Sequence, residues 1–431
     1  MEGVYFDGDA ARRRRGVRNA VWGVARGVAL VLAMVPCQAA LAQPPVTALV
    51  IPFEHPADEP SLQWLGEGAA VLLTDELQSL GAKGLTRENR LRAYERLEVP
   101  VGTTLSRAAV VRLGRLVEAT HVVVGSFERE ASRIEVRVRA ILLETGRMLP
   151  EILEAGPLNE LVAVVSRVAR RIVPTTASDP VPSGRPSLSA FEQYIKGLLA
   201  TSSETKLGYL DRALQLSPGL HRARLAQWQA YDARGEHVLA LGAVQPVPAA
   251  DALGRQARFQ AALSLIHLSR YEDAMRILAA LSDERADAAL ANNLGVIQMR
   301  RARPSWQGAV SLFSQASAAD VADPDYLFNA GYASWFGGDI KGAVDALREA
   351  VRRDGADAVG HYVLGMALQA AGSEDEAARA REVARRLSPA VVIWEAENPP
   401  GQPRRGLERL KEDIDLPAWF RRAGVGGASG Q

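Results

Sequence analysis

The pattern of apolar and polar positions divides the chain into a mixed N-terminal part and a helical C-terminal part. Residues 46–53 form a short apolar run, which suits a buried strand. From Arg133 to Leu143 apolar residues alternate with charged ones, as in an antiparallel strand with one exposed face. From Ser189 onward apolar residues recur at helical spacing. The pattern predicts an α+β domain over 43–173 and an all-α region over 189–389.

Within the N-terminal domain, Ser61 is a candidate N-cap for a helix whose apolar stripe continues to Leu80. Further strands and helices follow from the same pattern. The predicted strands cover 121–128, 133–143 and about 148–153, and the predicted helices cover about 88–97, 106–118 and 159–172.

A repeat with a period of 34 residues organises the helical region. Small residues mark it in three pairs: Gly331 with Gly365, Ala343 with Ala377, and Ala350 with Ala384. Small side chains at these places allow two helix backbones to approach closely. Units with looser spacing precede the two units that contain Gly331 and Gly365, and we count five or six units in total.

The period and its small residues resemble the tetratricopeptide repeat (TPR) family. The resemblance implies a right-handed solenoid with a concave groove for peptides or partner proteins, and it does not imply catalysis. In this family the first helix of each unit lines the groove. With Gly331 placed at position 8, the residues assigned to the groove are Phe259, Gln260, Asn292, Asn293, Phe328, Asn329, Tyr332, Trp335, Tyr362 and Met366.

These groove residues suit peptide recognition. Amide side chains can bond both the N–H and the C=O of an extended peptide, and aromatic rings supply apolar pockets. Asn293 and Asn329 occupy the same position of adjacent units, so we expect both amides on one wall, facing solvent in the free protein. Val359 and Val363 stand where a carboxylate clamp would need cations, which argues against such a clamp. Alternatively, several of the aromatic residues pack between helices.

The N-terminus predicts export. A basic stretch from Arg12 to Arg18 precedes an apolar run over 27–35 and the site Ala40-Leu41-Ala42. This is the pattern of a secretory signal peptide over 1–42, cleaved after Ala42. An uncleaved anchor is the alternative, and membrane contact is expected only in that case. Cys37, the sole cysteine, follows Pro36, which argues against lipidation.

Five short motifs then occur in order in the N-terminal domain. They are VIPF at 50–53, WLGEG at 64–68, LTRE at 85–88, VVGS at 123–126 and ETG at 144–146. This series resembles the domain of TolB-like, FlgO-like and CsgG-like bacterial envelope proteins. The resemblance implies a mixed sheet flanked by helices and a place in the cell envelope.

Two segments outside these domains have their own patterns. Residues 174–188 are rich in proline, serine and threonine and predict a linker. Residues 390–431 predict a short amphipathic helix, with Leu407, Leu410 and Ile414 on one face, followed by a disordered tail. We expect this helix to cap the solenoid. Its folding back into the groove as a self-ligand is the alternative.

Composition and motifs favour binding over catalysis. The net charge of +1 provides no drive toward nucleic acid. The six histidines have no ligand-like spacing, and no catalytic motif is present, so we expect no enzyme activity, cofactor or metal. The sequence thus predicts a non-enzymatic exported protein that binds partners through its groove and an envelope component through its N-terminal domain. The alternative is a structural subunit of an envelope or secretion assembly, in which the α+β domain oligomerises.

Overall fold

A computed structural model describes residues 46–55, 62–103, 105–130, 132–173, 186–397 and 404–416. The predicted signal segment, most of the predicted linker and the predicted disordered tail lie outside these residues. The described residues all belong to one compact unit. In the described part of this unit, no helix is long and apolar enough to cross a membrane.

The N-terminal part contains a mixed five-stranded sheet in the order β2-β1-β3-β4-β5. Strand β1 pairs in parallel with β2 and β3, and the β3–β4 and β4–β5 pairs are antiparallel. The strands are β1 Thr47–Val50, β2 Lys83–Gly84, β3 His121–Glu130, β4 Arg133–Leu142 and β5 Ile152–Pro157. The alternating pattern therefore located β4 correctly, whereas β5 begins later than predicted. The short β2 was not predicted.

Side chains on the two faces of the sheet enter separate apolar cores, because successive residues of a strand point in opposite directions. Ala48 and Val50 belong to a core that includes apolar residues of α1 and α4. Leu49 and Ile51 belong to a second core with α2 and α3. These helices are α1 Gln63–Ser79, α2 Arg87–Arg96, α3 Arg107–Leu116 and α4 Leu161–Ile172.

Among the described residues, the helical part consists of six consecutive helix pairs and one further helix. This agrees with the TPR-type solenoid predicted from the repeat. The helices are α5 Leu188–Leu199, α6 Ser203–Leu216, α7 His221–Asp232, α8 His237–Val244, α9 Gly254–His267, α10 Tyr271–Glu284, α11 Ala288–Arg300, α12 Trp306–Ala319, α13 Asp325–Phe336, α14 Ile340–Arg353, α15 Ala358–Ala370, α16 Glu374–Leu387 and α17 Ala390–Glu397.

The two helices of a pair approach each other closely at the repeated glycines. A Cβ atom added at Gly331 would lie 2.7 Å from Leu347 Cγ, and one added at Gly365 would lie 2.6 Å from Arg381 Cγ. Both distances are shorter than carbon atoms tolerate. The period in the sequence thus reflects a steric requirement at the same place in successive pairs.

The first helices of the solenoid share an apolar core with the N-terminal domain. Phe191 of α5 meets the ring of Trp64 edge-on at a centroid distance of 6.5 Å. Arg222 of α7 forms an ion pair with Asp75 of α1. Arg87 of α2 donates a hydrogen bond to the carbonyl oxygen of Leu198 in α5. The chain on the two sides of the proline-rich segment is therefore joined by packing as well as by sequence.

The structure corrects the prediction for the C-terminal segment. Residues 404–416, here called the C-terminal segment, contain no helix and run along the inner face of the solenoid. Gly406 has φ +83° and Asp415 has φ +58°, which interrupts helical geometry at both ends. The backbone between them bonds to solenoid side chains instead of to its own carbonyl groups. The predicted amphipathic helix at Leu407, Leu410 and Ile414 is therefore wrong, and the alternative of a self-ligand describes what is seen.

Candidate functional site

The groove predicted from the TPR pattern contains the chain's own C-terminal segment. All ten predicted groove residues are buried. The expectation that the asparagine amides face solvent is therefore wrong, because the segment covers them. The ten divide into residues that contact the segment and residues that pack within the solenoid.

Two asparagines each hold one residue of the segment by both of its backbone groups. Asn329 Oδ1 accepts a hydrogen bond of 2.8 Å from the Arg409 N–H, and its Nδ2 donates one of 2.8 Å to the Arg409 carbonyl. Asn293 bonds the N–H and carbonyl of Lys411 in the same way, with both distances 2.8 Å. Residues two apart in an extended chain present their backbone groups to the same side, so asparagines on one wall of the groove can bond both Arg409 and Lys411. The asparagines therefore act on the peptide backbone as a strand edge would.

Asn329 and Asn293, with the pair of backbone bonds that each makes, are here called the asparagine clamps. Asn292 joins the two clamps into one network. Its Nδ2 donates to the Arg409 carbonyl at 2.8 Å and to Asn293 Oδ1 at 3.1 Å. Its Oδ1 accepts a bond of 2.8 Å from Asn329 Nδ2. This fixes the orientation of all three amides, since each oxygen and nitrogen has a partner of the required kind.

Aspartates line the groove beside this network and contact the cationic side chains of the segment. Arg409 donates through Nη1 to Asp325 at 2.5 Å and through Nη2 to Asp357 at 2.6 Å. Lys411 Nζ lies 2.6 Å from Asp325 and 2.6 Å from Asp323. Asp325 thus contacts both cations. The groove is anionic at this place, which is the opposite of a carboxylate clamp.

Aromatic rings complete the surroundings of the same two side chains. The Arg409 guanidinium carbon lies 3.8 Å from the ring centroid of Phe328, and Lys411 Nζ lies 5.1 Å from that of Tyr326. A cation placed over a ring is attracted by its negative face. Phe328, a predicted groove residue, therefore contributes to cation binding as well as to packing.

Further contacts hold the two ends of the segment. The Tyr332 hydroxyl donates to the Arg404 carbonyl, and Arg300 pairs with Glu408. At the other end, Arg92 of α2 pairs with Asp413, and Asp415 pairs with Arg255 and Arg285. The segment consequently spans the solenoid from α15 toward α9 and also reaches the N-terminal domain.

The ionic contacts change the protonation equilibrium at the groove. Burial of Asp325 opposes its ionisation, but the charges of Lys411 and Arg409 outweigh burial and lower its pKa from the ordinary 3.8. Burial alone would lower the pKa of Arg409, and the carboxylates of Asp357 and Asp325 reverse this and raise it. Both shifts favour the charged pair.

The other predicted groove residues do not contact the segment through a hydrogen bond or ion pair. Tyr362 packs edge-on against Trp394 of α17 at 5.8 Å. Phe259, Trp335 and Met366 belong to the apolar cores between helices. Gln260 is buried, and its Oε1 has no hydrogen-bond partner within the described residues. Phe259, Trp335 and Tyr362 therefore pack between helices, which is the alternative interpretation of these aromatic residues.

The three aspartates were not among the groove residues predicted from the sequence. Asp325 occupies position 2 of its unit, which the TPR alignment on Gly331 already marks as groove-facing. That position could have been identified from the sequence. Asp323 and Asp357 lie just before helices α13 and α15, and helix-capping positions such as these give no hint that their side chains reach the groove.

A second polar cluster lies where α7, α8 and α9 meet. Asp232, His237 and His267 place one potential metal-ligand atom each within 4.8 Å of one another. The two imidazole rings are stacked at 4.2 Å, and His237 Nδ1 lies 3.1 Å from Asp232 Oδ1. Burial lowers the pKa of His267, and nearby His237 lowers it further. Spacing along the chain did not suggest this cluster, because the solenoid brings the residues together.

No protein-family model and no curated protein matches the chain. Several solved structures are similar in fold. YrrB, described as a TPR protein with an unusual peptide-binding site, is 14% identical over 44% of this chain and 98% of its own, with a TM-score of 0.34. MamA from Desulfovibrio magneticus RS-1 is 17% identical over 39% of this chain and 96% of its own, with a TM-score of 0.36. PilF of Pseudomonas aeruginosa is 18% identical over 49% and 98%, with a TM-score of 0.40. The TPR-type arrangement of this chain rests on its own repeat and six helix pairs.

Proposed function

We propose that this chain is a non-enzymatic, exported envelope protein that binds an extended segment of a partner protein in the groove of its solenoid. The observation that carries the proposal is the double asparagine clamp on the backbone of Arg409 and Lys411. A site that bonds both backbone groups of alternate residues is a site for an extended peptide, whatever chain supplies it.

The construction of the clamp supports a binding role. Asn293 lies on α11 and Asn329 on α13, so helices in adjacent repeats hold both amides. Asn292 fixes their orientation through hydrogen bonds. Groups held in place before binding lose little conformational freedom when a peptide arrives. Such an arrangement favours recognition of a peptide.

The proposed location rests on the N-terminal part of the sequence. The signal-type pattern over 1–42 supports export, and the resemblance of 43–173 to TolB-like, FlgO-like and CsgG-like domains supports an envelope setting. In this proposal the α+β domain docks to an envelope component while the solenoid groove holds the partner. Because the two parts share a core, they would act as one body.

Capture from an envelope extract tests the binding function. The bait is the full chain carrying Arg409→Ala and Lys411→Ala, here called the open chain, in which the ion pairs of these two residues with Asp323, Asp325 and Asp357 are removed. Its matched control carries Asn293→Ala and Asn329→Ala in addition. We expect proteins that the open chain retains to be depleted at least about tenfold on the control, since losing such interface hydrogen bonds costs about 1–3 kcal/mol.

Thermal unfolding and light scattering accompany this capture experiment. Equal retention by both baits, with both folded, would place partner binding outside the groove and contradict the proposal. A large discrete oligomer of the wild-type chain in light scattering would instead favour a structural subunit of an assembly.

A further inference from the structure

The contacts of the C-terminal segment specify the chemistry of the ligand. Building on the proposed function, we propose that the groove selects an extended peptide with two cationic side chains two residues apart, arginine first and lysine second. The C-terminal segment is the chain's own version of this ligand, and a partner's segment takes its place. The proposed occupant is thus a basic segment of another protein.

The charge of the groove wall is the first feature that favours a basic peptide. Three carboxylates, from Asp323, Asp325 and Asp357, face the two cations of Arg409 and Lys411. Without these cations, three negative charges would remain close together. A peptide with neutral or acidic residues at the two positions would leave them uncompensated, which disfavours the wrong partner.

Burial strengthens this preference. The side chain of Asp357 is 9% exposed, and those of Arg409 and Lys411 are 21% and 18% exposed. Water screens charges less at such sites than on an open surface, and leaving one member of a buried pair without its partner is costly. The groove therefore distinguishes a cation from a neutral side chain more sharply than a surface ion pair would.

The backbone clamps fix where the cations must stand. Asn329 holds the backbone of the residue whose side chain reaches Asp325 and Asp357, and Asn293 holds that of the residue whose side chain reaches Asp323 and Asp325. Because the clamped residues are two apart, a shift by one residue would turn both cations away from the wall. The solenoid therefore sets the spacing of two residues between the cationic side chains.

The two cation sites differ in a way that sets the order of arginine and lysine. Both sites offer two carboxylates and an aromatic ring, but at the first site two different nitrogens of one guanidinium bond the two carboxylates and the group lies only 3.8 Å from the Phe328 ring centroid, which suits a planar group with several donors. At the second, Lys411 Nζ contacts Asp323 and Asp325 as a compact charge. Exchanging the two residues would lose the forked contact at the first site.

A tethered segment competes strongly with any free peptide, because it is always present at a high effective concentration. A binding test therefore needs a groove whose own segment is weakened. The open chain defined above meets this need with the full chain and with an unchanged wall. Release of residues 404–416 in the open chain is checked by faster hydrogen–deuterium exchange than in the wild type.

The test measures fluorescence anisotropy of a labelled peptide with the sequence of residues 404–416. We expect this peptide to bind the open chain at least about tenfold more tightly than it binds the wild type. A peptide with alanine in place of both cations should bind the open chain at least about tenfold more weakly. Adding Asp325→Asn to the open chain should weaken the basic peptide about as much. Asp345→Asn, at an exposed carboxylate of α14, should change nothing.

The results separate this proposal from the proposed function. If the alanine peptide binds the open chain as tightly as the basic peptide, the groove is a peptide site without cation selection, and only the present proposal is overturned. If neither peptide binds although residues 404–416 are released, this proposal is also overturned, and the envelope capture experiment decides the proposed function by itself. Exchange of the segment between two copies, seen as a wild-type dimer that the open chain does not form, would replace the partner with a second copy.

Discussion

At the scale of single residues, the groove combines contacts that do not depend on the sequence of the bound segment with contacts that do. Asn293 and Asn329 bond only backbone atoms, so they recognise an extended conformation. Asp325 contacts both Arg409 and Lys411, so it recognises charge. A single aspartate shared by two cations couples the two positions, because its loss weakens both.

The lowered pKa of Asp325 predicts how peptide binding depends on pH. The pKa is below the ordinary 3.8 when the cations are in place, and it rises when they leave because their charges are what lower it. The stabilisation is therefore complete above that ordinary value and is lost as the pH falls through the bound-state pKa. We expect binding of the basic peptide to the open chain to be unchanged between about pH 6 and 8 and to weaken below about pH 4.

The control for this pH dependence is the open chain with Asp325→Asn. It should bind weakly at neutral pH and lose less further affinity in acid, because residue 325 then has no carboxylate to protonate. A parallel pH profile for both proteins would show that Asp325 does not carry the effect.

At the scale of elements, the close approach of paired helices depends on glycine. Gly331 of α13 lies against Leu347 and the Ala343 carbonyl of α14, and a Cβ there would stand 2.7 Å from Leu347 Cγ. The same helix carries Phe328 and Asn329, so a displaced α13 would also move the clamp. The repeat glycines thus hold the geometry of the groove as well as the stability of each pair.

Gly331→Ala tests this requirement. We expect it to lower the free energy of unfolding by about 1–3 kcal/mol, as overpacking of a tight contact does. Urea unfolding provides the measurement. The matched control is Gly208→Ala in α6, where an added Cβ meets nothing within 4 Å. That variant should be neutral or slightly stabilised, because alanine favours a helix over glycine. Equal effects of the two substitutions would mean that the close approach at Gly331 is not needed.

At the scale of the whole molecule, the α+β domain and the solenoid are coupled at two places. One is the shared core, where Trp64 meets Phe191. The other is the C-terminal segment, whose Asp413 pairs with Arg92 of α2. The shared core is part of the fold, whereas the ion pair of Asp413 with Arg92 would be lost if the segment left the groove.

Limited proteolysis tests the shared core. Cleavage within 174–185 should yield two fragments that remain together in size-exclusion chromatography, because separating them would expose apolar residues of both parts. Trp64→Ala should weaken this association, whereas Leu153→Ala, at a side chain that is 51% exposed, should not. Fragments of the wild-type chain that elute separately would show that the core does not hold the two parts together.

The sequence alone determined the features that depend on local pattern. The spacing of Gly331 and Gly365 predicted the helix pairs, because close backbone approach requires the smallest side chain. The alternation in β4 located a half-exposed strand, because side chains along a strand point to opposite faces. The TPR alignment also selected Asn293 and Asn329, which share one position of adjacent units.

Tertiary structure alone decided what fills the groove. The apolar spacing of Leu407, Leu410 and Ile414 fits a helix in isolation, but asparagine and aspartate side chains from distant repeats bond the segment as an extended chain. These partners lie about fifty to one hundred and twenty residues away, and no local pattern records them. The cluster of Asp232, His237 and His267 and the contact between Trp64 and Phe191 have the same origin. In each case the helices of the solenoid bring together groups that are separated along the chain.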